Sequence, residues 1–384
     1  MHVVSFGTYQ VENHPRVAVL SEGLRQRGHT TTEANEPLGL STAERVDLLR
    51  SRTGGLRLLL RLARSWTRLA VSARREARRR RPDVVLVGYM GHFDVWLARL
   101  LFPRTPVVLD HLIFAASTAQ DRGASGSLLG RALRLLDAGA VAVADVVLVD
   151  TDEHARLVPR RSAHKTVVVG VGAPDAWAEA RPAASTARTA STRLSVVFFG
   201  LFTPLQGAET IGRAVALLRD DPVDVTLVGS GQDLDAARAA AEGSPSATWT
   251  SWVDSRELPA LVARHDVGLG IFGTTAKAGK VVPNKVFQCA AAGTAVVTSD
   301  TAPQRRALGD DAVFVPAGDP HALADELRRL AGDPERLADL RLRAAARADR
   351  SFTPEAVVEP LEAVLMAGGS SRRGVQEALR RRRS

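Results

Sequence analysis

Short apolar runs alternate with amphipathic stretches along nearly the whole chain, and this alternation constrains the fold more than any other feature. Stretches with helical periodicity, beginning with RVAVLSEGLRQRG, separate the apolar runs. Such alternation is typical of a parallel β-sheet with helices on both faces. In the first half the runs are HVVSFG near the N-terminus, VVLVGY (84–89), VVLD (107–110), VVLVD (146–150) and VVVGV (167–171).

The alternation stops at EARPAASTARTAST (178–191), which has no apolar period and is predicted to be an interdomain linker, 179–192. It then restarts, which predicts two Rossmann-like, doubly wound α/β domains at 1–178 and 193–353. Ligands bind such sheets at the carboxyl ends of the strands, so we expect the domains to face each other across a ligand-binding cleft. The renewed pattern consists of strands SVVFFG (195–200), VDVTLVGSG (223–231), DVGLGIF (266–272) and AVVTSD (295–300), with helices near 207–219, 233–242 and 255–264.

The C-terminal part carries one more helical pattern, TPEAVVEPLEAVL, predicted as a helix at 354–366 that packs back on the first domain. The remaining residues, 367–384, are predicted to be a basic and disordered tail.

Length and composition narrow the class of protein. A chain of 384 residues is expected to form two domains. The sequence contains no run of 18 uncharged apolar residues, so no membrane span is predicted. The N-terminal stretch MHVVSFGTYQ lacks the basic and the apolar region of a signal peptide. The single cysteine, Cys289, cannot form an intramolecular disulfide and fits a reducing compartment. The sequence therefore predicts a cytoplasmic protein.

The net charge of +9 is concentrated in two basic segments. Residues 52–81 hold eleven arginines and one glutamate, and 372–384 hold six arginines and one glutamate, so the rest of the chain is net acidic. Within 56–81, Arg57, Arg61, Arg64 and Arg68 follow one helical stripe. The segment is either a helix that lies on an anionic membrane, at the inner face of the plasma membrane, or an ordinary amphipathic helix with a solvated arginine face. Nucleic acid is disfavoured, because only Trp66 interleaves with these arginines.

Three predicted strands end in glycine: Gly7 followed by Thr8, Gly200, and the pair Gly229 and Gly231 around Ser230. Glycine at this place allows a tight turn or a close approach to a ligand, and the pattern alone leaves both readings open. No GxGxxG with a following acid and no GxxxxGK[ST] is present, so dinucleotide dehydrogenases and P-loop enzymes receive no support.

Three segments together resemble the GT-B-fold glycosyltransferases, most closely the family-four retaining (group 1) enzymes. They are FFGLFTPLQGAETI (198–211), LVGSG (227–231) and VPNKVFQCAAAGTAVVTSD (282–300), and the resemblance is strongest over 195–332. It implies transfer of a sugar, with retention, from a nucleotide-diphosphate sugar to a saccharide or lipid-linked acceptor. It also implies a hexosyltransferase-like enzyme without bound metal and without a cofactor other than the nucleotide sugar as co-substrate.

The sequence departs from the family in the donor site. Gln288 stands where the family has a glutamate for the ribose, and the turn 201–206 lacks the usual arginine and lysine. We therefore predict that Lys280 and Lys285 supply the positive charge that stabilises a diphosphate leaving group. Pro283 is expected at the first position of a helix whose N-terminus binds the pyrophosphate. The donor-binding residues predicted in full are Gly7, Thr8, Gly200, Phe202, Gln206, Gly207, Gly229, Ser230, Gly231, Pro283, Asn284 and Gln288.

The first domain is predicted to hold the acceptor and part of the catalytic site. The resemblance assigns Asp110 or His111, at the end of the fourth strand, to the donor sugar, with positioning and electrostatic roles. Further acceptor-side candidates are His14, Arg16, Tyr89 and His92, although an ordinary structural role is the competing interpretation for a single histidine. Because the usual charged donor residues are replaced, a catalytically silent homologue that binds a nucleotide sugar or a partner is the alternative function.

Overall fold

The structure is a computed structural model that describes residues 1–9, 15–39, 54–121, 127–182 and 193–382. It divides into two compact units. Unit 1 comprises Met1–Gly170 and Pro354–Ser384, and unit 2 comprises Val171–Thr353.

Unit 1 contains a six-stranded parallel sheet in the order β2-β1-β3-β4-β5-β6. Its central strands are valine-rich and buried on both faces, as expected where helices cover both sides of a parallel sheet. The strands are β1 (His2–Gly7), β2 (Thr30–Asn35), β3 (Val84–Val87), β4 (Val107–Asp110), β5 (Val146–Val149) and β6 (Thr166–Val168).

The helices of unit 1 cover both faces of its sheet. They are α1 (Arg16–Gln26), α2 (Gly54–Arg79), α3 (Asp94–Leu101), α4 (Ala115–Asp121), α5 (Ser127–Val143), α6 (Asp152–Ala155), α15 (Pro354–Gly368) and α16 (Arg372–Arg381), with a 3-10 turn at Arg160–Lys165. Leu69 of α2, Val95 of α3 and Val141 of α5 share one core cluster. Leu20 of α1, Val358 of α15 and Leu379 of α16 share the cluster on the opposite side.

Unit 2 repeats the architecture with a parallel sheet in the order β12-β11-β10-β7-β8-β9. Its strands are β7 (Leu194–Phe199), β8 (Val223–Val228), β9 (Ala247–Thr250), β10 (Val267–Leu269), β11 (Ala295–Ser299) and β12 (Val313–Val315). Its helices are α7 (Asp175–Glu179), α8 (Ala208–Leu217), α9 (Leu234–Ala240), α10 (Leu258–Ala263), α11 (Asn284–Ala291), α12 (Ala302–Leu308), α13 (Pro320–Gly332) and α14 (Pro334–Ser351), with 3-10 turns at Pro204–Gln206 and Ala278–Lys280. Both sheets are doubly wound, as predicted.

The boundary between the units differs from the predicted one. The chain enters unit 2 at Val171 rather than after residue 178. The reason is local packing, because Trp177 stacks on Phe199 with ring centroids 5.5 Å apart and the Ala173 N–H donates to the Phe352 carbonyl. Residues 183–192 of the predicted linker lie outside the described residues.

The C-terminal segment is more ordered than predicted. Helix α15 packs on α1, where the Cα of Gly23 leaves no room for a side chain beside the Pro354 carbonyl. The expectation of a disordered tail is wrong for Arg372–Arg381, which form α16. Arg372 binds the buried carboxylate of Asp145 (Nε to Oδ1, 3.0 Å), and Val375 and Leu379 are buried, so one face of this basic helix joins the core.

Among the described residues, no helix combines the length and the hydropathy needed to cross a bilayer.

Candidate functional site

The sheet of unit 2 reverses its strand order between β7 and β10, and the loops that follow these strands and β8 meet at their carboxyl ends. In doubly wound sheets this switch point is where ligands bind. The Gly200 N–H donates to the Val228 carbonyl (3.0 Å), and the Phe202 N–H donates to the Ser230 carbonyl (2.9 Å). The Phe272 N–H, in the loop after β10, donates to the Gln206 carbonyl (2.9 Å).

Glycine is required where these loops touch. Gly229 has φ +136°, and a Cβ atom there would lie 1.9 Å from the Gly200 carbonyl oxygen. Gly231 has φ +155°, and a Cβ atom there would lie 2.3 Å from the Phe202 carbonyl oxygen. The two glycines thus bring the backbone of the second loop directly against the first.

Lys285 reaches this point from α11. Its Nζ donates to the Gln206 Oε1 (2.7 Å), lies 3.6 Å from the centroid of the Phe198 ring, and would be 3.3 Å from a Cβ atom at Gly200. Gln206, the last residue of the uncharged turn, therefore holds the ammonium group of Lys285 beside that turn, although Lys285 belongs to α11. Gly200 itself is exposed, so the cation lies next to backbone that solvent can reach.

The charge of Lys285 has no acidic partner among the described residues. Burial lowers the pKa of the ammonium group to about 7, and no carboxylate in the described part of the chain opposes this effect. Cys289, one helical turn further on, has its thiol pKa raised by burial to about 12 and is neutral at physiological pH. A buried ammonium group without a counter-ion costs free energy, and an arriving anion would offset that cost.

The start of helix α11 differs slightly from the predicted one. Pro283 is the N-cap, with φ −72° and ψ 149°, and the helix begins at Asn284, so the expectation of proline at the first helical position is wrong by one residue. The extended conformation of Pro283 leads the chain in from the turn Ala278–Lys280. Asn284 and Gln288 are half-buried, as is Lys280 on its turn. Gly293, directly after the C-cap Ala292, ends the helix with φ +78°.

Phe202 is placed in the core and not at the surface of the loop. Its ring is fully buried and packs edge-on against Phe198, with centroids 5.2 Å apart. Leu201, its neighbour in the uncharged turn, is 57% exposed.

In unit 1, two predicted site residues bind each other. Arg16 and Asp110 are fully buried, and their ion pair joins Nε to Oδ1 at 3.0 Å. Arg16 also donates to the carbonyls of Val169 and Gly170, so α1 is tied to the chain after β6. Burial raises the pKa of the Asp110 carboxyl, and the neighbouring guanidinium opposes this rise. Both side chains are thereby engaged inside the unit, a pairing that the sequence did not predict.

His111 and His92 lie together with an aspartate that the sequence analysis did not single out. His92 Nε2 lies 2.9 Å from the Asp137 Oδ1, which also accepts from the Ala115 N–H (2.9 Å). His111 Nε2 is 3.8 Å from the same oxygen and has no hydrogen-bond partner among the described residues. Burial, followed by the nearby His92, lowers the pKa of His111 to about 3, so its imidazole is neutral.

The donor atoms of His92, His111 and Asp137 lie within 4.8 Å of one another, the spacing of a loose metal site. In the structure, however, Asp137 Oδ1 already takes part in two hydrogen bonds, which favours a carboxylate that orients His92. Asp137 was detectable as the only acid of α5, on an otherwise apolar and basic helix.

A second aspartate orders the end of β1. Thr8 donates to the Asp94 Oδ2 through both its N–H and its hydroxyl (2.8 Å each), and the Trp66 indole donates to the Asp94 Oδ1 (2.8 Å). Thr8 is therefore held next to Gly7 by α3, and Tyr89 is buried nearby in the cluster of Tyr9 and Val17. The candidate His14 lies outside the described residues.

Comparisons with known proteins bear on the family and on the fold. Residues 193–333 match the family model of glycosyl transferases, group 1. No curated protein sequence matches the chain.

Solved structures show the same fold at low sequence identity. Sucrose-phosphate synthase from Thermosynechococcus elongatus has a TM-score of 0.68 at 14% identity, covering 95% of this chain and 98% of that one. Anabaena HepE in complex with UDP-glucose has a TM-score of 0.65 at 14% identity, covering 95% and 99%. An α,α-trehalose-phosphate synthase (UDP-forming) from Burkholderia vietnamiensis has a TM-score of 0.64 at 17% identity, covering 98% of both chains. Most of unit 2 therefore matches the group 1 glycosyl transferases, and the chain has the fold of the GT-B glycosyltransferases that its sequence resembles.

Proposed function

We propose that this protein transfers a sugar, with retention, from a nucleotide-diphosphate sugar to a saccharide or lipid-linked acceptor, and that UDP is the nucleotide. The family match of residues 193–333 supports the reaction class. The choice of UDP rests on HepE, a structure of similar fold that was solved with UDP and with UDP-glucose.

The position of Lys285 is the observation that carries the proposal. Departure of a nucleotide diphosphate leaves negative charge on the diphosphate, and fixed positive charge beside it lowers the barrier. The turn 201–206 has no charge to offer, but Gln206 holds the Lys285 ammonium group 2.7 Å from its own Oε1 at the switch point. We infer that the diphosphate binds along the exposed Gly200 backbone and takes Lys285 as its cation.

Other residues have supporting roles in this proposal. The N-terminus of α11 contributes its positive dipole end to the diphosphate, and Lys280, on the preceding turn, contributes a second charge. Gln288 accepts a hydrogen bond from a ribose hydroxyl, as a neutral amide in place of a carboxylate. Neutral His111, with its free Nε2 among the described residues, is assigned to a hydroxyl of the donor sugar, and His92, oriented by Asp137, to the acceptor.

The proposed reaction needs no protein nucleophile and no metal ion. Its catalysis then comes from positioning and from the charge of Lys285, as the resemblance implies.

A silent, nucleotide-binding homologue is the second candidate, favoured by the uncharged turn and by Gln288. Nucleotide release separates the two. The purified protein is incubated with UDP-glucose and other UDP-sugars, with water or a mixture of saccharides as acceptor, and free UDP is measured. The proposed function predicts release of UDP and, by NMR of the product, an unchanged anomeric configuration. UDP binding without release from any donor would favour the silent homologue.

A further inference from the structure

Three helices of unit 1, α2, α3 and α5, form a surface whose exposed side chains have no role in the proposed transfer step. They pack their apolar sides on the same face of the sheet through Leu69, Val95 and Val141. Their outward sides make one continuous feature, because α3 lies between α2 and α5 and Trp96 of α3 reaches over α5 at Gly139. We call this surface the three-helix face.

The three-helix face is strongly basic. Its exposed arginines are Arg61, Arg64, Arg68, Arg74, Arg75, Arg78 and Arg79 on α2, and Arg131 and Arg134 on α5. The helices contain only three acids: Asp94 and Asp137 are buried, and Glu76 is half-buried beside Arg79, with Nη1 and Oε1 3.1 Å apart. Among the described side chains of these helices, none presents an exposed carboxylate.

The same face carries large exposed apolar side chains between the arginines. They are Leu60 (64% exposed), Val71 (68%), Trp96 (49%), Leu100 (76%), Leu128 (78%) and Leu135 (74%). Single exposed leucines are ordinary, but several on adjoining helices mark an interaction surface. The exposed arginines favour a partner with anionic groups, and the exposed leucine and tryptophan side chains favour a partner with an apolar region.

We propose that the three-helix face docks on an anionic phospholipid bilayer. Arginines pair with lipid phosphates while leucine and tryptophan side chains enter the boundary with the acyl chains, as in interfacial amphipathic helices. Nucleic acid would satisfy the arginines but not the apolar side chains. The proposal does not depend on the transfer reaction, although a lipid-linked acceptor would then be presented at this face.

The test is sedimentation of the full chain, without donor, with vesicles of neutral phosphatidylcholine or of phosphatidylcholine and phosphatidylglycerol. Wild type is expected to bind the anionic vesicles and to lose binding as salt rises. Two variants separate the electrostatic from the apolar contribution to vesicle binding: R64Q/R68Q/R131Q removes charge, and L100S/L135S removes apolar side chains. Their matched controls, on exposed residues elsewhere, are R219Q/R256Q/R264Q and L342S/M366S.

The charge variant is expected to lose roughly fivefold in partition coefficient per arginine, on the order of 100-fold in total. The apolar variant is expected to lose at least about tenfold, and both controls to bind as wild type does. Equal binding to neutral and anionic vesicles, or full binding by either variant, would overturn the proposal. Arginine-dependent binding to single-stranded DNA, together with vesicle binding that does not depend on Leu100 and Leu135, would also overturn the proposal. Circular dichroism of each variant checks its fold, and UDP binding is measured separately, so that failure of docking is not mistaken for failure of the donor site.

Discussion

Replacement of Lys285 by methionine is expected to weaken UDP binding about 100-fold, and turnover by at least as much, without lowering the melting temperature at pH 7. The binding loss follows from removal of a charge-assisted contact to the diphosphate, at the upper end of what one such contact contributes. Stability is expected to hold because no carboxylate among the described residues pairs with the buried ammonium group, whose pKa burial lowers from 10.5 to about 7. Isothermal titration with UDP and thermal unfolding of the same samples measure both effects.

The sign of the stability effect can be checked against pH. Between pH 7 and 10.5 the unfolded lysine binds more protons than the folded one, so this group makes wild type more stable as pH rises through that range. Below pH 7 its destabilising effect is complete. Lys285→Met removes this contribution, so its melting temperature relative to wild type is expected to be highest near neutral pH and to decline toward pH 10.

Lys165 provides the matched control in unit 1. It is also buried, and its pKa is lowered to about 8, but its Nζ donates to the carbonyls of Ala142 (3.0 Å) and Ala144 (2.6 Å). Lys165→Met leaves both carbonyls without that donor, so we expect a lower melting temperature and unchanged UDP affinity. If Lys285→Met behaved in the same way, Lys285 would be a structural residue and the proposed role would be wrong.

UDP affinity is expected to fall as pH rises above 7, by up to tenfold per unit. The diphosphate favours the charged form of Lys285, and free protein holds this proton only below its pKa of about 7. At pH 8.5, binding must therefore take up close to one proton per site. Calorimetric titrations in buffers of different ionisation enthalpy measure this uptake. The range above pH 7.5 is chosen because the last ionisation of a phosphate group lies near pH 6.

Lys285→Met is the control for the pH experiment. Its weaker UDP binding is expected to be flat between pH 7.5 and 9.5, with no proton uptake. Equal proton uptake by wild type and by the variant would assign the titration to another group and would contradict the proposed contact.

Much of the fold was predictable because the sequence patterns that indicate strands and helices are local. The valine-rich runs of β3, β4 and β5 are buried on both faces, and such runs identify parallel strands without knowledge of their neighbours. Strand β2, TTTEAN, went unpredicted because it lies at the sheet edge and most of its residues are partly exposed. Helix α16 was missed because the six arginines of residues 372–384 favour a solvated, disordered tail. Two apolar residues four positions apart, Val375 and Leu379, nevertheless anchor the helix in the core.

The candidate site was predictable in its residue types but not in its pairings. The glycine-ended strands and Lys285 were identified, and the structure brings Gly200, Gln206 and Lys285 together. That Gln206 would hold Lys285 was not predictable, since the two lie 79 positions apart and meet only through tertiary packing. The pairing of Arg16 with Asp110 has the same origin, with a separation of 94.

The central claim is that unit 2 holds a nucleotide diphosphate, and a thermal-shift panel tests it most directly. The wild-type protein is melted with UDP, other nucleoside diphosphates, UDP-sugars and the monophosphate UMP. A ligand that binds only the folded state raises the melting temperature. The account predicts a clear rise with UDP, a smaller one with UMP, which lacks the second phosphate, and, at the same UDP concentration, a much smaller rise for Lys285→Met than for wild type. Equal shifts with UDP and UMP, or no shift with any nucleotide, would contradict it.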